Sequence, residues 1–352
     1  MKRSAMKGAL GASTALALSL TLAGCGGSAS GEGANVDPLV KGYDGPSVDM
    51  SGVSLTLTTS EADGLNLGSF WAADKMRQWG ADVNVVVLTS TSGIQTMMAG
   101  KSDVASQGAD EVILGNAEGA GVVAIGSPRT KQSYVLVAKN EINSVADLKG
   151  RSIAMSGPSG FDTLLSKYAL ENAGLSDSDA KLVQVGGSPD RASALLSGTV
   201  DAATIFLSGW EELQAQTDKV HQLVSFGDST DFPGSAYYAK ASYLKDNPTV
   251  GLGLACANLE ANDWINSDES QYLKYAQEQI EGASVDGLKQ LWKDATAMDM
   301  WPTDPSQVIS SDGMDGLAKA MLKSGEIKKE VSTADAVDTS FLQKAADMGC
   351  GQ

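Results

Sequence analysis

The chain has 352 residues, 42% of them hydrophobic and 20% charged, with 39 Gly against 9 Pro. That is enough apolar material to bury cores, and it excludes a collagen-like or low-complexity chain. With 26 basic against 43 acidic residues the net charge is −17, which argues against a basic face for a nucleic-acid backbone. The length predicts two domains of ordinary size.

In chain order, residues 1–24 begin MKRSAMK, continue as an apolar stretch (ALALSLTLAG) and stop before Cys25. The stretch falls short of the roughly 20 residues of a membrane span and has the layout of a secretory signal. Leu22-Ala23-Gly24-Cys25 resembles the bacterial lipobox, cut before a cysteine that takes acyl chains such as palmitate. An uncleaved anchor helix is the alternative. Residues 25–50 are rich in Gly, Ser, Asp and Pro and predict a flexible, lipidated tether. Cys256 and Cys350 remain; outside the cytoplasm such a leftover pair predicts a disulfide rather than two free thiols. It would pin the C-terminal tail to a helix near 250–265.

Beyond the tether, Ser54–Thr58 alternates Leu with Thr and predicts a strand. A helix over Phe70–Trp79 stopped by Gly80, a buried strand over Val83–Leu88, a short helix over Ile94–Ala99 closed by Gly100, and a strand from Asp103 follow. This alternation predicts a parallel sheet covered on both faces. Strands are expected at Ser133–Lys139, Arg151–Met155 and Ser235–Lys240, a helix at Thr163–Ala173, and mostly helix from Asn247 onward. The segment SSDGMDG at 310–316 lacks Ca²⁺-loop spacing and reads as a turn.

An internal repeat organises these elements. Met97-Met-Ala-Gly-Lys-Ser-Asp103-Val-Ala105 matches Leu195-Leu-Ser-Gly-Thr-Val-Asp201-Ala-Ala203, each a helix end, a Gly and a strand led by Asp. Two similarly built lobes are expected: residues 51–138 with 241–352, and residues 139–240, with strands 133–139 and 235–240 as the two crossings between them.

The segments FWAADKMRQWGADVNVVVL, SGIQTMMAGKSDVA, INSVADLKGRSIAMSGPSG and DRASALLSGTVDAA resemble the substrate-binding proteins of ABC transporters in the sulfonate, nitrate and thiamine-precursor group. The likeness covers about residues 54 to 240. It implies a two-lobed α/β fold of the type II periplasmic-binding-protein kind, two crossing strands as a hinge, and a small-molecule ligand in the cleft. It also implies a permease and its ATPase as partners, a monomeric protein lipid-anchored on the outer face of the cell membrane, and neither cofactor nor metal.

Carried over residue by residue, the likeness implies ligand contacts at Ser60 and Glu61, at Ser92 and Gly93, and at Gln107, Gly108 and Asp110. From the second lobe it implies Ser159, Gly160, Phe161 and Asp162, together with Ser188, Phe206 and Trp210. Helix starts offer N–H groups, and Phe161 or Trp210 offers a stacking face. Ser92 as a plain helix cap, Phe161 as core and Trp210 as a lobe-surface aromatic are the competing readings. Glu61, Asp110, Asp162 and Asp190 outnumber the nearest basic candidates, Arg129 and Arg191. That favours a donor-bearing planar nitrogen heterocycle, such as a pyrimidine vitamin precursor, over an aliphatic sulfonate, taurine or nitrate. A secreted carboxylate-dependent hydrolase is the rival class. Its case is weak, because His221 is the only histidine and G-x-S-x-G, P-loop and H-E-x-x-H patterns are missing from the sequence.

Overall fold

The computed structural model describes residues 37–352 apart from Glu61, Thr89, Ser90 and Ser159. The leader, the lipobox with Cys25 and the first part of the tether lie outside the described residues, as do the candidates Glu61 and Ser159. The rest of the segment expected as a tether is packed. Asp37 caps the short helix α1 (Pro38–Lys41), and Val40, Val48 and Met50 are buried. Tyr43 donates to Asp263 Oδ2 at 2.8 Å and its carbonyl accepts from Lys75 Nζ at 2.8 Å.

The first half of the chain alternates strands and helices as expected: β1 (Ser54–Thr59), α2 (Leu67–Gln78), β2 (Asp82–Val87), α3 (Gly93–Met98), β3 (Val104–Gln107), α4 (Asp110–Ala117) and β4 (Val122–Gly126). The second run repeats it: β5 (Tyr134–Lys139), β6 (Ser152–Met155), α5 (Phe161–Asn172), β7 (Lys181–Gln184), α6 (Ser188–Leu196), β8 (Ala202–Phe206), α7 (Leu207–Gln216) and β9 (Val220–Ser225). Then come α8 (Phe226–Ser229), β10 (Ala236–Lys240) and the helices α9 (Ala241–Asp246), α10 (Pro248–Ser267), α11 (Glu269–Gln279), α12 (Val285–Ala297), α13 (Pro305–Val308), α14 (Ser311–Ser324) and α15 (Ser340–Asp347).

Two five-stranded sheets result, ordered β2-β1-β3-β10-β4 and β7-β6-β8-β5-β9. In each, one strand runs antiparallel to its two neighbours: β10 in the first and β5 in the second. The two sheets therefore share one layout, as the repeat implied. The repeated aspartates explain why. Asp103 accepts the Thr56 N–H at 2.8 Å and Asp201 the Ser152 N–H at 3.0 Å, so each carboxylate ties the start of its own strand to the parallel strand beside it. Gly100 and Gly198 turn into those strands at φ +70° and +76°, which favours glycine.

The structure corrects two expectations. Strands 133–139 and 235–240 are not themselves the crossings, because β5 lies within the second sheet and β10 within the first. The crossing runs instead through 127–133 and 230–235, joined by bonds from Gly234 N to the Thr130 carbonyl (3.1 Å) and from Ser235 N to that of Arg129 (3.0 Å). The SSDGMDG segment is a helix start: Ser310 caps α14 through its hydroxyl, which accepts the Gly313 N–H at 3.2 Å. A capping serine outweighs the turn tendency of Asp and Gly there.

Helix α10 is the spine behind the first sheet, packed on α2 and α15. A Cβ at Gly253 would come within 2.5 Å of Met50 Sδ, and one at Gly251 within 2.6 Å of Phe341, so both glycines let neighbours lie close. Cys256 on α10 is disulfide-bonded to Cys350 just past α15. None of the helices among the described residues is long and apolar enough to cross a membrane.

Candidate functional site

Strand direction locates the site. The parallel strands of the first sheet end at Thr59, Val87, Gln107 and Gly126, and those of the second at Met155, Gln184, Phe206 and Ser225. One crossing leaves Gly126 and enters β5 at Tyr134; the other returns from Ser225 by way of α8 to β10 at Ala236. Both link C-terminal strand edges, where ligands of open α/β sheets bind.

At the second-sheet edge, Tyr134 and Phe206 are register partners on β5 and β8. Their ring centroids lie 4.4 Å apart at 34°, and Phe161, at the start of α5, stands 5.9 Å from Tyr134. Phe206 still keeps 37% of its surface exposed. The result is an aromatic platform with Phe206 partly open to solvent. Gly160 serves it by being small: a Cβ there would lie 2.0 Å from Ser156 Oγ. Ser188 accepts the Phe206 N–H at 3.0 Å and so fixes the strand end. Asp162 is spent internally, accepting from the Ser156 N–H (2.8 Å) and hydroxyl (2.5 Å) and pairing with Arg191 at 3.7 Å. Arg191 also donates to the carbonyls of Thr204 and Gly186.

On the first-sheet side, Ser92 caps α3, and the N–H groups of Gly93 and Ile94 point to the Glu111 carboxylate at 3.3 and 2.9 Å. Tyr238 donates its hydroxyl to the same carboxylate. The start of α3 is thus already filled by an internal anion. Ser60 accepts from Asn66 Nδ2 at 3.1 Å. Gln107 ends β3, Gly108 follows, and Asp110 opens α4. Asp110 is half-buried; burial first and the Glu111 charge second push its carboxyl up to about 7. Its charge reaches Tyr134, whose hydroxyl is driven upward by burial and then by Asp162. Asp110 and the aromatic platform thus lie at the strand ends of the two sheets, close enough for the charge of one to be felt at the other.

Among the described residues, four of the ten buried side-chain polar atoms without a partner lie near these edges: Thr59 Oγ1, Gln107 Nε2, Arg129 Nε and Ser133 Oγ. Trp210 sits elsewhere. It lies one turn into α7 and lines a groove of about 1180 Å³ between α7 and α12, with Glu211, Asp294 and Met298. Glu211 in that groove is 5% exposed; burial, then Asp294 opposite, push it up to about 7. Sequence reasoning missed Tyr134, whose only signal is its pairing with Phe206 across strands far apart in the chain. It also missed Glu111 as the occupant of the α3 start.

Comparison with known proteins follows the geometry. YtlA of Bacillus subtilis (strain 168), assigned as a binding protein, is 24% identical over 278 residues, covering 76% of this chain and 82% of YtlA. A Haemophilus influenzae (strain ATCC 51907 / DSM 11121 / KW20 / Rd) protein assigned to thiamine biosynthesis is 34% identical over 119 residues, 33% of this chain and 37% of that one. Among solved structures, the periplasmic aliphatic sulphonate binding protein SsuA from Escherichia coli superposes with a TM-score of 0.67 at 21% identity, covering 82% of this chain and 92% of SsuA. The desulfurization enzyme DszB shares the fold at a TM-score of 0.60 and 17% identity, over 84% of this chain and 99% of that one. The two-lobed fold is thus that of the periplasmic binding proteins, and the NMT1/THI5-like family matches residues 77–265, more than half the chain. The chain belongs to the NMT1/THI5-like family.

Proposed function

We propose that the protein is the extracytoplasmic solute receptor of an ABC importer, closing its two lobes on one small molecule and presenting it to a permease and its ATPase. The family, YtlA's assignment as a binding protein and the SsuA-like fold support the class. The same fold in DszB keeps an enzyme as the alternative. Against that alternative, Cys256 and Cys350 are bonded to each other, and His221 lies on β9 with its Nδ1 3.3 Å from Asn140 Oδ1. A lipid anchor at Cys25 is part of the proposal. Cys25→Ser is expected to release the protein from membranes; unchanged retention with normal cleavage would refute the anchor.

For the ligand we infer a planar nitrogen heterocycle bearing an amino group, such as a pyrimidine vitamin precursor. The observation that carries this is the partly exposed Phe206 ring packed on Tyr134, with the Asp110 carboxyl, pushed up to about 7, close enough to act on Tyr134. Such a carboxyl can accept from an exocyclic amino group while giving or sharing a proton with the adjacent ring nitrogen, and an aromatic ring stacks on the platform. The thiamine-biosynthesis assignment of the Haemophilus relative points the same way. Glu111 at the α3 start leaves that helix end no vacancy for a sulfonate or nitrate. Calorimetric titration with 4-aminopyrimidine, an aliphatic sulfonate and nitrate tests it. One heterocycle per chain is expected, with Asp110→Ala weakening it; tight binding of an anion without the pyrimidine overturns it.

A further inference from the structure

Arg129 stands in the crossing, between the C-terminal edges of both sheets. Its backbone is clamped: the N–H donates to Ser127 Oγ at 3.1 Å, and the carbonyl accepts from both the N–H and the hydroxyl of Ser235 at 3.0 Å. Its side chain is not. Among the described residues the guanidinium makes no ion pair within 4.0 Å, its Nε is buried without a partner, and Nη2 reaches only the Gly234 carbonyl at 3.4 Å. The carboxylate that acts on it most, Asp63, has its Oδ1 occupied by the N–H groups of Leu65 and Asn66 at 2.7 and 3.0 Å.

Arg191 shows what a structural arginine looks like here, with two carbonyls and Asp162 around it. A half-buried guanidinium lacking such partners is costly, because desolvation of a charged donor is not returned by hydrogen bonds. Burial accordingly pulls Arg129 below its ordinary range. A fixed backbone carrying an unsatisfied planar fork is the arrangement that receives a bidentate oxyanion. Arg129 lies five residues before Tyr134, on the crossing that enters β5 at the aromatic platform, and its charge is felt at the Tyr134 hydroxyl.

Resting on the heterocycle reading above, we propose that Arg129 receives an acidic oxygen group carried by the ligand, so that the natural solute is an amino-bearing heterocycle with a carboxylate or phosphate substituent. The amino edge meets Asp110 and the acidic group meets the guanidinium, with the ring on Phe206. This gives the ligand's donor edge and its acidic group partners of opposite character, in a chain of net charge −17.

The test compares 4-aminopyrimidine with 4-aminopyrimidine-5-carboxylate by calorimetry on the full chain. The wild type is expected to bind the carboxylate at least about tenfold tighter, in line with a charge-assisted bond of roughly 1.5–3 kcal/mol. Arg129→Gln is expected to abolish that preference while the parent pyrimidine binds as before, and Arg129→Lys to restore part of it. Equal affinity of the wild type for the two probes overturns the inference and needs no variant. A preference that survives in Arg129→Gln overturns it as well. If neither probe binds, the heterocycle reading falls and this inference with it, whereas equal binding leaves the heterocycle reading standing.

Discussion

Phe206 is a residue that the fold alone does not require in aromatic form. With 37% of its surface open and one face on Tyr134, truncation removes little core contact. Phe206→Ala is expected to leave the unfolding midpoint in urea nearly unchanged while lowering heterocycle affinity about tenfold, from the roughly 0.5–1.5 kcal/mol of ring stacking plus lost apolar area. A fall in stability without a change in affinity would make Phe206 a packing residue. Asp201 should behave in the opposite way. It holds the Ser152 N–H and hydroxyl and pairs with Lys139 at 2.9 Å; burial works against its charge, yet these bonds bring it down to about 2. Asp201→Ala is expected to destabilise by about 1–3 kcal/mol by equilibrium unfolding, because it leaves Ser152's donors without their acceptor. At this scale the sequence was half informative. The positions of Phe161 and Phe206 near a strand end were readable from the parallel α/β pattern. Tyr134 was not, since its place on the platform comes from an antiparallel register that no local spacing encodes. Trp210 follows the strand that Phe206 ends, and one helical turn carries it into the α7–α12 groove.

Among the elements, the repeated strand–helix units were legible from Gly100 and Gly198 and from the aspartates after them, because a left-handed glycine and a strand-starting carboxylate are local requirements. The exchange of β5 and β10 between sheets was not, because a single strand carries the same apolar pattern whichever sheet it joins. The packing of residues 37–50 was hidden for a similar reason. A Gly-, Asp- and Pro-rich composition describes the unfolded tendency of the segment, while Val40, Val48, Met50 and the Tyr43 bonds decide its folded one. The tie between α10 and the segment after α15 rests on Cys256–Cys350, which closes a loop of sequence separation 94. Reduction, or Cys350→Ala with Cys256→Ala, is expected to cost about 2–5 kcal/mol of stability, read as a lower urea midpoint. An unchanged midpoint would show that the buried faces of α15 hold the tail unaided.

For the whole molecule, pH is a strong lever. Asp110, Glu211, Glu260 and Glu326 are each pushed up to about 7, in every case by burial first. A carboxyl raised in the folded state binds more protons there than in the unfolded chain between about pH 4 and 7, so stability falls as pH rises through that window. Asp179 and Asp201, held down to about 2, act with the opposite sign and lose their contribution as pH falls below about 4. The thermal midpoint is therefore expected to be higher near pH 5.5 than near pH 8, and Glu211→Gln is expected to shrink that difference. A midpoint that climbs steadily to pH 8 would contradict these assignments.

The most direct measurement is a crystal structure of the protein grown with saturating 4-aminopyrimidine. The expected density is one ring lying on the open face of Phe206 between the two strand edges, with its amino group within hydrogen-bond distance of Asp110. Density in the groove between α7 and α12, or an empty interlobe site in crystals of protein that binds the compound in solution, would contradict a receptor that closes on its ligand at that platform.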